Sequence, residues 1–311
     1  MAKIATREAY GKALVELGRQ NKDIVVLDAD LSKSTKTALF AKEFPERFFN
    51  MGIAEQNLMC TAAGLALSGK IPFASTFAVF ATGRAFEQIR NGIAYPQVNV
   101  KIAATHSGLT VGEDGASHQA IEDIALMRVL PNMTVVVPAD AEETRQAVQA
   151  VADYHGPVYL RLGRPAVETV YENNYKFQIG KADQLRKGQD AAIIACGIMV
   201  NEALVAAEEL ASEGINVMVV NMSTIKPIDR EAVLAAAATG AIVTAEEHTI
   251  MGGLGSAVAE VLATEKPVPM AMVGIGDTFG ESGKPAELME KYGLTASNIK
   301  TKVKKLLEKK I

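Results

Sequence analysis

The sequence predicts an α/β protein of two domains, each a mostly parallel sheet flanked by helices. Three observations carry this. Short aliphatic runs alternate with stretches of helical periodicity, the pattern of strand–helix units whose strands are buried on both faces. The alternation lapses between Arg164 and Gln189, where Pro165, Asn173, Asn174, Gly180 and Gly188 interrupt any period, and then resumes. At 311 residues the chain has room for about two domains of ordinary size. The division expected is a first domain over 1–165, a linker over 166–189 and a second domain over 190–311.

Taken in order, Thr6 to Arg19 has Ala13, Leu14 and Leu17 at helical spacing, with Thr6 available as a cap. Asp23 to Leu27 reads as a buried strand, Asp28 to Ser34 as a polar loop, and the residues to Phe44 as a short helix. Phe48-Phe-Asn50 leads into Met51 to Leu58, whose small and aliphatic continuation predicts a helix closed by Gly69. Strands follow at 71–76, 98–104, 134–137 and 158–161. Helices fall between them at 83–94, 121–130 and 141–154, the last opened by Asp140 and Glu143 in the manner of a capping box. The linker carries one expected edge strand at Lys176–Ile179. The second series places strands at 191–196, 216–220, 241–244 and 269–273, with helices at 201–212, 229–238 and 256–263 and two more at the C-terminal end. Crossovers between parallel strands are right-handed, and ligands bind beyond the strands' carboxyl ends. That brings the loop Asp28–Ser34, Phe77 and the long loop Thr105–His118 to one rim.

Composition excludes several classes. With 49% apolar and 22% charged residues and a net charge of −4, no broad basic footprint points to nucleic acid. The Lys-rich end, Lys300 to Lys310, alternates with Val303, Leu306 and Leu307 and suits the solvated face of an amphipathic helix. No apolar run approaches the roughly 20 residues of a membrane span, and the N-terminus lacks a signal-peptide core. Cys60 and Cys196 are far apart in apolar runs and are expected as buried free thiols. A cytoplasmic protein follows.

Glu55 stands alone among apolar neighbours, and a buried acid needs a partner or a purpose. It reads either as a carboxylate at a helix N-terminus or as a proton-holding group. The loop from Thr105 to His118 is unusually long and carries His106, His118, Asp114 and three glycines. It reads as a proton-handling or binding loop, as a structural one, or as a metal site, although the two histidines lack ligand spacing. Phe77 and Phe80 fit either core packing or a stacking surface for a flat ring. Arg7, Arg161 and Arg164 fit either ion pairs or a phosphate clamp. Gly252-Gly-Leu-Gly-Ser256 before a helix, with Glu246-Glu-His248 ahead of it, is either an anion-binding or a structural turn.

Gly52-Ile-Ala-Glu-Gln-Asn57, Ser75-Thr-Phe-Ala-Val-Phe80 and Gly112-Glu-Asp-Gly-Ala-Ser-His-Gln119 resemble, in order and separation, the pyrimidine-binding domain of transketolase. Glu246-Glu-His248 with Gly252-Gly-Leu-Gly255 resembles the C-terminal domain of the same family. Transketolases run to about twice this length. The half not represented binds the diphosphate and Mg²⁺ through a GDG motif, which is absent here.

The resemblance implies the C-terminal subunit of a split transketolase, dependent on thiamine diphosphate, with the Mg²⁺ ligands on a separate N-terminal subunit. The expected assembly is a dimer of heterodimers. Glu55 would bond the aminopyrimidine N1′ and promote removal of the thiazolium proton. Phe77 and Phe80 would stack on the ring. Asp114 and His118 would meet sugar hydroxyls near the transferred unit, with His118 taking part in catalysis. Arg7, Ser34, His106 and Arg161 would hold the phosphate of a sugar substrate, and Asp30 would lie near the cofactor and the subunit contact. The sequence departs from the family at Gly83, where an aromatic residue is common, and at Lys33, where many members have Pro. The implied reaction moves a two-carbon ketol unit from a ketose phosphate to an aldose phosphate. The alternatives are the β subunit of a 2-oxoacid dehydrogenase, a deoxyxylulose-phosphate-synthase-like subunit, or a non-catalytic regulatory subunit.

Overall fold

A computed structural model describes residues 3–172 and 175–308. Asn173 and Asn174 of the expected linker, and the last lysines of the basic end, lie outside the described residues.

The first sheet runs in the order Thr224–Lys226, Thr134–Val136, Val158–Arg161, Lys101–Thr105, Ile71–Phe77, Ile24–Asp28, Phe48–Asn50. All neighbours are parallel except the first pair. The period of two sends alternate side chains to opposite faces. Ile24, Val26 and Phe73 pack with Tyr10, Leu14, Val148 and Val151 of the helices Thr6–Gln20 and Ala141–Asp153. Val25, Leu27 and Ala74 pack on the other face with Leu58, Met59 and Ala62 of the helix Glu55–Leu67. The second sheet runs Met270–Ile275, Ile242–Thr249, Ala191–Ala195, Val217–Asn221, Asp183–Arg186, with only the last strand antiparallel. Both chain halves are thus α/β, as the alternation of elements implied.

The two sheets are not insulated from each other. Val135 and Val137 of the first half lie in one apolar cluster with Met222, Ile225 and Val220 of the second. Thr224–Lys226, although late in sequence, pairs with Thr134–Val136 and extends the first sheet.

Several local expectations are corrected. Phe48–Asn50 is a strand paired with Val26–Asp28, although its side chains are half-buried or exposed. The expected helix 83–94 is broken into two wide turns, Phe80–Arg84 and Ile89–Ala94, around one short α-helical piece, Phe86–Gln88. The edge strand of the second sheet is Asp183–Arg186, not Lys176–Ile179. Thr6 does not cap its helix: Ala5 holds that position, and Thr6 Oγ1 accepts the Gly163 N–H at 2.8 Å. The Asp140 carboxylate does cap its helix, accepting the Glu143 N–H at 2.8 Å. Cys196 is buried, but Cys60 is exposed. Leu58, Met59, Ala62 and Ala63 take the inner face of the helix Glu55–Leu67, which leaves Cys60 on the outer one with Gln56 and Gly64.

Candidate active site

The carboxyl ends of the parallel strands Ile24–Asp28, Ile71–Phe77 and Lys101–Thr105 open on one rim. Asp28 ends the first of them. Its buried carboxylate accepts from Leu31 N–H at 2.6 Å, Thr35 Oγ1 at 2.6 Å and Thr37 Oγ1 at 2.8 Å, so it folds the next loop around itself. Burial pushes this carboxyl up from its ordinary value, against the pull of those bonds. The loop presents the Ser34 carbonyl, which accepts from Arg7 Nη1 at 2.8 Å. Asp30 lies outside this knot, exposed, and accepts from Asn50 at 3.0 Å.

Glu55 opens its helix and is 2% exposed. Its charge is met by Arg84, whose Nη1 lies 2.9 Å and 3.0 Å from the two carboxylate oxygens. The Arg84 guanidinium in turn sits 4.7 Å over the Phe80 ring. Phe80 and Phe77 are nearly parallel, 13° apart with centroids at 5.8 Å. The His106 ring stacks on Phe77 at 3.8 Å. His118 stands edge-on to Phe80 at 5.4 Å and to Phe77 at 6.4 Å. Four sequence-predicted residues, Phe77, Phe80, His106 and His118, thereby form one ring cluster, to which Arg84 ties a fifth, Glu55.

His106 is held in the left-handed region at φ 57°, uncommon for residues other than glycine, and is 3% exposed. Its Nδ1 lies 2.9 Å from Thr105 Oγ1. Burial first, and then the nearby charges of Arg7, Arg164 and His118, lower its pKa to about 3, so the ring is neutral at ordinary pH. Arg7 is joined to Arg164 through a 3.2 Å bond from its Nε to the Arg164 carbonyl. Arg164 Nη1 reaches back to the Val111 carbonyl, lies 3.2 Å from Glu113 and is 4.0 Å from Asp114. Asp114 is half-exposed at the mouth.

Arg161 does not sit in this cationic rim. It is 5% exposed, with Nε and Nη2 at 2.7 Å and 3.0 Å from the two oxygens of the buried Asp123 and another bond to the Glu247 carbonyl. A guanidinium committed in this way is a structural counter-charge. Arg164, three residues on and past the strand end, takes the rim position. Ser34 contributes its carbonyl to Arg7 and, among the hydrogen bonds of the described residues, no hydroxyl contact.

The second domain forms the wall behind the long loop. The buried Glu247 carboxylate accepts the Thr110 N–H at 2.6 Å, and Gln119 Nε2 donates to the Glu281 carbonyl at 2.9 Å. Gly108, at φ 77°, lies so close to Glu247 that a Cβ would fall 2.3 Å from its carboxyl carbon. Glycine is therefore required there by space and by conformation. The turn at Gly252–Ser256 is structural, since its Leu254 and Gly255 N–H groups bond Glu246 at 2.7 Å and 2.8 Å. His248 is buried as well, its Nδ1 2.7 Å from the Thr249 carbonyl and its Nε2 accepting from Ala125 N–H.

The site residue that the sequence reading missed is Arg84. Its signal was its place four residues after Phe80, on the same side of a helical turn. Gly83, where an aromatic was expected from the family, is exposed and leaves the Phe80 face to Arg84.

The family description "Transketolase, pyrimidine binding domain" matches residues 2–169, and "Transketolase, C-terminal domain" matches residues 180–299. A protein of Methanocaldococcus jannaschii named as a transketolase C-terminal section is 53% identical over 306 residues, covering 97% of this chain and 96% of the relative. A 6-deoxy-6-sulfo-D-fructose transketolase subunit of a Clostridium species is 45% identical, covering 98% and 95%. A solved structure described as a split gene transketolase, inactive β4 tetramer, superposes with a TM-score of 0.93 at 63% identity, covering 99% of this chain and 100% of the other. The chain belongs to the transketolase family and corresponds to its pyrimidine-binding and C-terminal domains.

Proposed function

We propose that this chain is the C-terminal subunit of a thiamine-diphosphate-dependent transketolase. With a separate N-terminal subunit it transfers a two-carbon ketol unit from a ketose phosphate to an aldose phosphate. The observation that carries the reading is the buried Glu55 carboxylate, tied to the Phe77–Phe80 pair by Arg84, which bonds the acid and sits over Phe80. A fixed carboxylate beside aromatic faces is a receptor for a flat, nitrogen-containing ring that donates a hydrogen bond. The residues present therefore fit the aminopyrimidine of thiamine diphosphate, which when bound supplies the electron sink for the carbon–carbon bond change.

Glu55 holds a shared proton at the ring nitrogen, and Phe77 and Phe80 fix the ring plane. His118 and Asp114 face the sugar hydroxyls, and neutral His106 offers a hydrogen bond without adding charge. Arg7 and Arg164, with the Ser34 carbonyl orienting Arg7, receive the substrate's anionic tail. The sulfonated sugar in the Clostridium relative's name supports an anion-binding role for this rim. Mg²⁺ and the diphosphate belong to the partner. The names of the relatives, a C-terminal section, a subunit and an inactive β4 tetramer, support partner dependence and a dimer of heterodimers. The family matches, over 2–169 and 180–299, support two domains that meet within the proposed linker 166–189, and the free thiols support a cytoplasmic setting.

The test is to copurify the chain with its N-terminal subunit and assay ketol transfer. Turnover by the pair with thiamine diphosphate and Mg²⁺, and none by either chain alone, is expected. Equal turnover by this chain alone refutes partner dependence, and none by the assembled pair refutes the transferase reading.

A further inference from the structure

Arg84 has no part in the reaction just described, yet it occupies the centre of the site. Its guanidinium carbon sits 4.7 Å over the Phe80 ring, and its Nη1 donates to both oxygens of Glu55. A planar cation that stacks on an aromatic ring while bonding a carboxylate offers the same contacts as a hydrogen-bonding aminopyrimidine. Both groups call on the same two partners, the Phe80 ring and the Glu55 carboxylate, so they compete for them.

The asymmetry of the pair says which member moves. Glu55 is 2% exposed and fixed in the first turn of its helix, whereas the Arg84 side chain is 51% exposed. Arg84 ends the wide turn Phe80–Arg84, a geometry frequent at functional sites. Beside it, Gly83 faces open space, with nothing within 4 Å of where a Cβ would stand. The guanidinium can therefore swing outward without displacing packed side chains.

We propose that Arg84 is an internal stand-in for the cofactor ring: it neutralises Glu55 while the slot holds no ring, and it must leave when the aminopyrimidine enters. This rests on the reading of Glu55 as the ring-binding acid. In energetic terms, each binding event exchanges one partner of Glu55 for another, and the partner given up is a guanidinium 51% exposed and screened by solvent. The stand-in therefore loosens cofactor binding modestly while protecting an otherwise uncompensated buried acid.

The experiment is calorimetric titration of thiamine diphosphate, at fixed Mg²⁺, into the assembled two-subunit complex carrying Arg84→Met. Met keeps an apolar stem over Phe80 and removes the charge and the donors; Arg84→Gln serves if the Met variant does not assemble. The expected result is a Kd three- to tenfold lower than wild type, with a ratio that shrinks as salt rises. Glu55→Gln should weaken binding at least tenfold, and Arg84→Met should give no tightening in that background. An unchanged or weaker Kd for Arg84→Met, with Glu55→Gln still harmful, overturns the stand-in and leaves the ring site intact. An unchanged Kd for Glu55→Gln overturns the ring site and the stand-in together. A merely structural Arg84 would loosen binding when removed, so the sign decides.

Discussion

The imidazole of His106 lies on the ring of Phe77, centroids 3.8 Å apart and planes 20° from parallel. This contact joins the two halves of the site. On one side is the aromatic slot beside Glu55, and on the other are the charges of Arg7 and Arg164, whose field acts on the same imidazole.

The first prediction concerns that imidazole. Its folded pKa of about 3 lies below the ordinary 6.5, so the unfolded chain takes up the proton first. Stability is then full above about 6.5 and declines as the pH falls from there toward 3, by up to about 1.4 kcal/mol per pH unit. Imidazole carbon shifts of His106 should not titrate between pH 5 and 8. Urea midpoints of His106→Asn should lose part of the wild type's fall between pH 7 and pH 5. A His106 signal titrating near 6.5 would contradict the geometry.

Glu55→Gln keeps the shape of the buried group and removes its capacity to exchange a proton. In the assembled complex, kcat should fall by about 10²–10⁴-fold, the usual range for an acid–base group. Far-UV circular dichroism should be unchanged. Steady-state assay of the variant with the same partner subunit measures this, and activity within a few-fold of wild type would remove Glu55 from the chemistry.

Arg161 and Arg164 should separate cleanly. Arg164→Gln should raise KM for a phosphorylated sugar about 10- to 100-fold, the scale of one lost charged hydrogen bond. Its urea midpoint should stay near that of wild type. Arg161→Gln strands the buried Asp123 carboxylate and should cost about 3–5 kcal/mol of folding stability. If the two variants exchanged phenotypes, the placement of the phosphate site would be wrong.

The two thiols provide a rapid check on the outer face of the Glu55 helix. Cys60 is exposed, whereas Cys196 is 2% exposed, and burial raises its thiol well above the ordinary value. Ellman's reagent should modify one thiol in the folded isolated chain and both in denaturant.

How much of this could be read in the sequence depends on the kind of signal. Aliphatic runs such as Ile24 to Leu27 announce buried strands because both faces are covered, and the loop histidines announce themselves by loop length. The break in the 83–94 helix was not legible, since wide turns keep enough apolar spacing, with Ala85, Ile89 and Ile93 all buried, to imitate a regular helix. Arg161 and Arg164 differ only in tertiary context. Arg161 is the last residue of a central strand, where Asp123 meets it, and Arg164 lies just beyond. Arg84 was missed because an exposed arginine gives no sign of the acid it will reach. The strand Thr224–Lys226 was invisible because its pairing partner lies some ninety residues earlier in the other half.

That late strand has a practical consequence for anyone dissecting the protein. A fragment cut at the linker would leave Thr134–Val136 as a bare sheet margin and uncover Val135 and Val137. Open margins of this kind recruit other chains into aggregates. Expression of the first half by itself calls for a replacement strand or a charged substitution along that border, while the intact polypeptide already carries its own seal.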